Sequence, residues 1–222
     1  MIEFKNINKS YKLGKNNVVT ALKDINIDIK EGSLVVLKGA SGSGKSSILS
    51  LVSAISKPTS GEVIVDNKQI SKLTDRFASE YRLNNIGIVF QKYNLVEDIS
   101  VEQNVILPLI PKNMNSDLVE NKVDAALEMF DIKHYKHTTV KNLSGGEQQR
   151  VAIARAYINS PKIIIADEPT ANLDEKLSLN FINIIKDLKE KNKTIIIATH
   201  DPLFFDLDIV DKYIEMKNGS IV

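Results

Sequence analysis

Apolar and polar residues alternate along the first part of the chain. "IEFKNIN", "ALKDINIDIKEG" and "GEVIVDNKQI" each put every second side chain on an apolar face, with Gly or Asn at the turns. That period of two predicts half-buried antiparallel strands. From residue 33 the pattern changes to short, nearly continuous runs rich in Ile and Val: "SLVVLKG", "IGIVFQ", "KIIIADE" and "TIIIATH". These predict parallel strands covered on both faces. Helical periodicity lies between them. "SGGEQQRVAIARAYIN" puts Val151, Ala154 and Ile158 on one face and is closed by Pro161, whose ring cannot continue a helix. In residues 92–142, "DISVEQNVILPLIP" is broken by Pro108 and Pro111, and "SDLVENKVDAALEMFDI" reads as a capped amphipathic helix starting near Ser116 or Asp117. The predicted fold class is α/β: a mostly parallel core sheet, an N-terminal antiparallel β subdomain, and a helical subdomain inserted at about 92–142 of a single domain, 1–222.

The four apolar runs end at residues with chemical potential: Gly39, Gln91, Asp167 with Glu168, and His200. Ligands collect at the carboxyl ends of strands in an open parallel sheet, so these four places are expected to converge on one site. Composition narrows the chemistry. The 222 residues carry 29 basic and 28 acidic side chains, a net charge of +1, so no global field marks the chain for nucleic acid. With no cysteine there is no thiolate metal site and no cysteine nucleophile. No apolar run reaches the roughly 18–20 residues that a membrane-spanning helix needs.

"GASGSGKSS" follows one strand and precedes the helical stretch "SSILSLVSAI". Gly39, Gly44, Lys45 and Ser46 match G-x-x-x-x-G-K-[ST], the phosphate loop of a P-loop NTPase core. Small residues at Ala40, Ser41, Gly42, Ser43 and Ser47 let successive backbone N–H groups turn inward. The helix start adds positive potential, Lys45 neutralises outer phosphates, and the Ser46 hydroxyl can ligate Mg²⁺. Asp167 is the matching carboxylate for the metal. Glu168 is the candidate base that orients or deprotonates an attacking water, and His200 ends its strand where a terminal phosphate would lie.

A second stretch, "LSGGEQQR", has the same character. Ser144, Gly145 and Gly146 precede a helix, and its start favours negative charge. One nucleotide cannot fill both cradles from opposite sides. The economical solution is two chains, each offering its second cradle to the other's nucleotide.

The order Tyr11, "GASGSGKSS", Gln91 in "IVFQ", "LSGGEQQR", "IIIADEPT", "ANLD" and "ATH" spans essentially the whole chain and resembles the ATP-binding subunits of ABC transporters. The resemblance implies ATP and Mg²⁺ as ligands and ATP hydrolysis in a head-to-tail dimer. It implies that Tyr11 stacks on adenine and that Gln91 is the lid glutamine touching Mg²⁺ or water. It also implies that Ser144, Gly145, Gly146 and Glu147 belong to the signature, that Asp174 is the interface-loop aspartate, and that His200 is the switch histidine. Ser47, Asn142 and Ala171-Asn172 depart slightly from the usual pattern and remove no catalytic group. Length and the "GEQQR" ending are most similar to exporter ATPases of the macrolide, lipoprotein and antimicrobial-peptide type. A separate transmembrane permease is then the expected partner, with the chain cytoplasmic and peripheral at the inner face of the membrane.

A mechanical ABC ATPase that regulates a membrane complex without transport uses the same residues. A DNA-repair-type ABC ATPase would need a long coiled coil between the cradles, and Ser47 to Leu143 has no sustained heptads. "NKVD" (Asn121 to Asp124) matches a guanine-reading motif but falls inside a helical pattern, and "HYKH" (His134 to His137) has no complementary metal ligands.

Overall fold

The computed structural model describes residues 1–14, 17–171 and 173–222. The N-terminal alternation forms β1 (Ile2–Leu13) and β2 (Asn17–Ile29), paired antiparallel with Phe4 opposite Ile27. β3 (Leu34–Lys38) then leads through the phosphate loop into α1 (Lys45–Val52). β4 (Ser60–Val65) and β5 (Lys68–Gln69) complete a four-stranded sheet of order β2-β1-β4-β5.

α2 (Asp75–Asn85) runs directly into β6 (Ile86–Val89). Residues 92–142 follow as helices and turns, with α3 (Val101–Ile106) and α4 (Ser116–Met129). Ser100 and Gln103 form a capping box that starts α3, and the stretch with Pro108 and Pro111 becomes a 3-10 helix, Leu107–Lys112. α4 begins where its pattern predicts; the cap is Asn115, whose side chain accepts from the Asp117 N–H. α5 (Gly145–Tyr157) carries the second glycine-rich start, and Val151, Ala154 and Ile158 are buried as its periodicity predicts.

β7 (Ile163–Asp167), α6 (Glu175–Glu190) and β8 (Thr194–Thr199) complete the core sheet with one strand outside the predicted set, β9 (Lys212–Lys217), and its hairpin partner β10 (Ser220–Ile221). The order is β10-β9-β3-β8-β7-β6, and all neighbours except β10-β9 are parallel. β9 lacks the continuous apolar run of a central strand because only Ile214 and Met216 of "KYIEMK" are buried. It lies beside β3, so it extends the sheet beyond the phosphate loop.

The apolar runs face two cores. Leu34, Val36, Ile164, Ile195 and Ile197 join the helices α3 to α6, while Val35, Leu37, Ile163, Ile165 and Ile196 face α1 and the antiparallel sheet. Side chains alternate across a strand, so a strand covered on both sides must be apolar at every position. Val105 and Leu109 of the helical segment, with Leu127 of α4, sit in the same core as Leu34 and Ile197. Phe181 of α6 is fully buried and meets Phe204, just past His200, edge-on at 6.3 Å. Phe181→Ala is therefore expected to lower the unfolding free energy by about 3–5 kcal/mol, measured by urea denaturation followed by circular dichroism.

Candidate functional site

The parallel order places the carboxyl ends of β3, β8, β7 and β6 side by side. A cavity of about 330 Å³ opens there, lined by Ser41 to Ser47 with Ala21, Gln91, Asp167, Glu168 and His200. Gln91, Asp167 with Glu168, and His200 thus meet as predicted, while Gly39 itself is not part of the lining and β3 contributes the loop from Ser41 onward. Gly44 caps α1 at φ 110°, where a Cβ would lie 2.7 Å from the Ala21 carbonyl oxygen. Gly39 has φ 149°, and a Cβ there would lie 2.4 Å from the Met216 carbonyl oxygen of β9. Only glycine meets both demands. No side chain caps α1, so the first N–H groups of that helix are left to the cavity and its start carries positive potential.

Lys45 is buried, with 5% of its surface exposed, and its Nζ donates to the carbonyls of Gly39 at 2.6 Å and Ala40 at 3.2 Å. It also lies 3.3 Å from Glu168 Oε1. The other oxygen of that carboxylate accepts from the His200 backbone N–H at 3.2 Å and lies 3.0 Å from His200 Nδ1. Burial alone would raise the Glu168 carboxyl, but the His200 hydrogen bonds and the Lys45 charge outweigh it and hold it below the usual carboxylate range. Glu168 therefore stays ionised at neutral pH. Its backbone is left-handed at φ 45°, an uncommon conformation for a residue with a Cβ, and its N–H donates to the Ala198 carbonyl at 2.8 Å.

Asp167 moves the other way. Burial raises its carboxyl, assisted by the Glu168 charge, while the Ser46 hydroxyl and Lys45 draw it down. Among the described residues its buried Oδ1 has no hydrogen-bond partner. An orphaned carboxylate oxygen beside a serine hydroxyl fits a hard divalent cation such as Mg²⁺. No group of three or more His, Asp or Glu residues suited to a metal occurs among the described residues, so phosphate and water oxygens would complete the shell.

The remaining predicted residues lie outside this cavity. Tyr11 of β1 borders it through a 3.5 Å hydrogen bond from its hydroxyl to Ser47 Oγ, with the Lys9 ammonium over its ring at 4.7 Å. Ser144, Gly145, Gly146 and Glu147 form a second centre at the start of α5. The Ser144 N–H and hydroxyl both donate to Glu147 Oε2, at 2.7 and 2.8 Å. A Cβ on Gly146 would strike the Leu177 side chain of α6 at 2.5 Å, whereas one on Gly145 would meet nothing within 4 Å. Asp174 caps α6 by accepting from the Leu177 N–H at 2.8 Å. Asn172 of "ANLD" lies outside the described residues. "NKVD" is inside α4, with Asp124 paired to Lys136 at 2.7 Å. In "HYKH", His137 lies 3.3 Å from Glu102.

Sequence reasoning missed the contacts that hold the loops. Gln149 Nε2 donates to the Pro169 carbonyl at 2.9 Å, and the Thr170 hydroxyl donates to Asp201 Oδ2 at 2.6 Å. The C-terminal hairpin braces the phosphate loop, with the Gly219 N–H donating to the Ser43 carbonyl at 3.0 Å. A buried glutamine in a helix with small residues carried no periodic signal that set it apart.

Residues 22–171 match the family model described as ABC transporter. The chain belongs to the ABC transporter ATP-binding family. This ABC ATPase is 42% identical over 206 residues, covering 90% of the chain and 87% of the relative, to MJ0796 of Methanocaldococcus jannaschii, an ABC transporter ATP-binding protein. It is 38% identical to the lipoprotein-releasing system ATP-binding protein LolD of Rickettsia bellii, covering all of the chain and 97% of LolD. At 38% identity it also aligns over its full length with the macrolide export ATP-binding/permease protein MacB of Chlorobaculum tepidum, covering 34% of that longer protein. Its fold superimposes with a TM-score of 0.90 on a dimeric, post-hydrolysis structure of MJ0796 bound to ADP and Pi, 38% identical, covering all of the chain and 96% of the neighbour.

Because the folded-state value of Asp167 is raised, its ionisation costs the fold nothing below the unfolded-state pKa. The cost appears as pH rises and is complete above the folded-state value. At neutral pH, Asp167→Asn is expected to raise the melting midpoint of the nucleotide-free protein, an effect that fades below the ordinary carboxylate range, while removing Mg²⁺-dependent nucleotide binding. Calorimetry with and without Mg²⁺ checks both effects.

Proposed function

We propose that this ABC ATPase binds Mg-ATP in the cavity at the strand ends, closes head-to-tail on a second copy of itself, and drives a separate membrane-embedded permease, with export as the direction. The observation that carries the proposal is the split between the two centres. One cavity gathers Lys45, Asp167, Glu168, His200 and Gln91, while the signature start at Ser144 to Glu147 lies outside it with Gly145 open to solvent. Packing within the chain accounts for a glycine at 146 and not for one at 145. A nucleotide seated on a second copy accounts for it.

The triphosphate lies across the backbone N–H groups of Ser41 to Ser47 and the start of α1. Lys45 exchanges its contacts with the Gly39 and Ala40 carbonyls for phosphate oxygens. Ser46 and Asp167, together with Gln91, would hold Mg²⁺, which would supply charge neutralisation on the phosphates. Glu168, ionised and held by His200, orients the water that attacks the terminal phosphorus and accepts its proton. A carboxylate this acidic is a weak base, so positioning supplies most of its effect. His200 keeps Glu168 aimed and faces the terminal phosphate. Tyr11, exposed at the cavity's edge, offers its ring to adenine. The terminal phosphate bridges the two chains, so ATP favours closure more than ADP does.

No helix among the described residues is long and apolar enough to cross a membrane. In this reading the translocation path is the permease's. We read 1–222 as one ATPase domain with 92–142 as its inserted helical subdomain. A groove of about 310 Å³ beside the Gln91 loop, lined by Phe90, Asn94, Pro108, Arg155 and Asn159, suits a short permease segment. This reading places the chain at the cytoplasmic face of the membrane. The names of LolD and MacB support an export role, and MacB joins the ATP-binding and permease functions in one chain.

Glu168→Gln is expected to lower kcat by about 10²–10⁴-fold while ATP binding persists and an ATP-bound dimer accumulates. Steady-state phosphate release and size exclusion with ATP measure the two effects. Ser144→Arg is expected to leave ATP binding by the monomer intact and abolish the dimer. Normal turnover by a monomeric Ser144→Arg protein would refute the shared site.

A further inference from the structure

We propose that Gln149 is a positioning residue for hydrolysis: its side chain ties the Glu168 loop to the signature helix, so that closure on the partner's nucleotide aims the carboxylate of the same chain. The inference rests on the paired reading above and adds a residue to it.

Glu168 is in the left-handed region, which a residue with a Cβ keeps only where its surroundings over-determine it. One side of the clamp is the bond from its own N–H to the Ala198 carbonyl at 2.8 Å. The other side is the next residue. Pro169 has no N–H and a fixed φ, so its carbonyl is its only polar backbone group. That carbonyl is buried and receives Gln149 Nε2 at 2.9 Å. Gln149 is itself only 3% exposed. A carbonyl only accepts, so the amide nitrogen must face it, and neither a carboxylate nor an alkyl chain can take its place.

The other end of the tie is the signature. Gln149 follows Gly145 by four residues on α5, one helical turn along the same face, and Gly146 is pressed onto Leu177 of α6. A shift at the helix start is therefore delivered to residue 149 with little loss, and from there to the peptide next to Glu168. The Thr170 hydroxyl, bonded to Asp201 Oδ2 at 2.6 Å, secures the far side of the loop beside His200. The loop is held at three points, and Gln149 is the one that leads to the partner.

Gln149→Met keeps the length and apolar bulk of the side chain and removes the donor. The full-length variant is compared with the unmodified protein and with Glu168→Gln. The expected result is a kcat lower by about 10- to 100-fold, as for a slightly misplaced catalytic group, with KM for ATP within about twofold. The ATP-bound dimer should persist in Gln149→Met without any change at Glu168, because closure no longer leads to hydrolysis. A merely structural role predicts loss of ATP binding in step with a lowered melting midpoint and no persistent dimer, and that result overturns the proposal. Unmodified kcat overturns it as well. If Glu168→Gln itself forms no ATP-dependent dimer, the paired reading falls and takes this inference with it; a dimer there with wild-type turnover in Gln149→Met overturns this inference alone.

Discussion

A buried ammonium in contact with a partly buried carboxylate governs this site. Lys45 has almost no exposed surface, and an unpaired charge so placed would be costly. The 3.3 Å approach to Glu168 and the carbonyls of Gly39 and Ala40 compensate it. Glu168 and the two carbonyls thus partner a charge that burial would otherwise leave uncompensated. A phosphate oxygen can replace Glu168 at Lys45 without leaving a charge unpaired, and the released carboxylate still has His200. Charge balance is kept through the exchange, which lets a cation sit deep enough to feel a low dielectric and still be available.

The same economy is visible in Asp167. Burial raises its carboxyl, and its buried Oδ1 has no hydrogen-bond partner among the described residues, a cost offset by the two apolar cores on either side of the sheet. Adjacent residues on one strand end therefore shift in opposite directions, Glu168 towards ionisation and Asp167 away from it. The difference comes from neighbours: His200 and Lys45 surround the first, whereas burial dominates the second.

α5 links the two centres. Its first turn carries the signature, Gln149 grips the Glu168 loop, and the Arg155 guanidinium donates to the Asn94 carbonyl at 2.6 Å, just past Gln91. A single helix of thirteen residues carries the glycine-rich start and touches both the Glu168 loop and the loop that follows Gln91. Because a helix is stiff over this length, these three places cannot move independently.

Much of this was legible in one dimension. Period-two alternation announced β1, β2 and β4, and continuous Ile and Val runs announced the four central strands, because burial on one face or two writes directly into residue type. The phosphate loop, Asp167, Glu168 and the signature were readable for a similar local reason: phosphate cradles need glycine and a helix start at fixed spacing. β9 was not legible, since a half-exposed strand with Lys and Glu on its open face resembles a surface segment. The same holds for Gln149 and the Thr170 to Asp201 bond, whose partners are 20 and 31 residues away. Sequence by itself determined which groups the site contains and which strands carry them, because those demands are local. Only the tertiary structure decided which groups touch, because the parallel order β3-β8-β7-β6 alone sets Lys45 against Glu168 and Glu168 against His200.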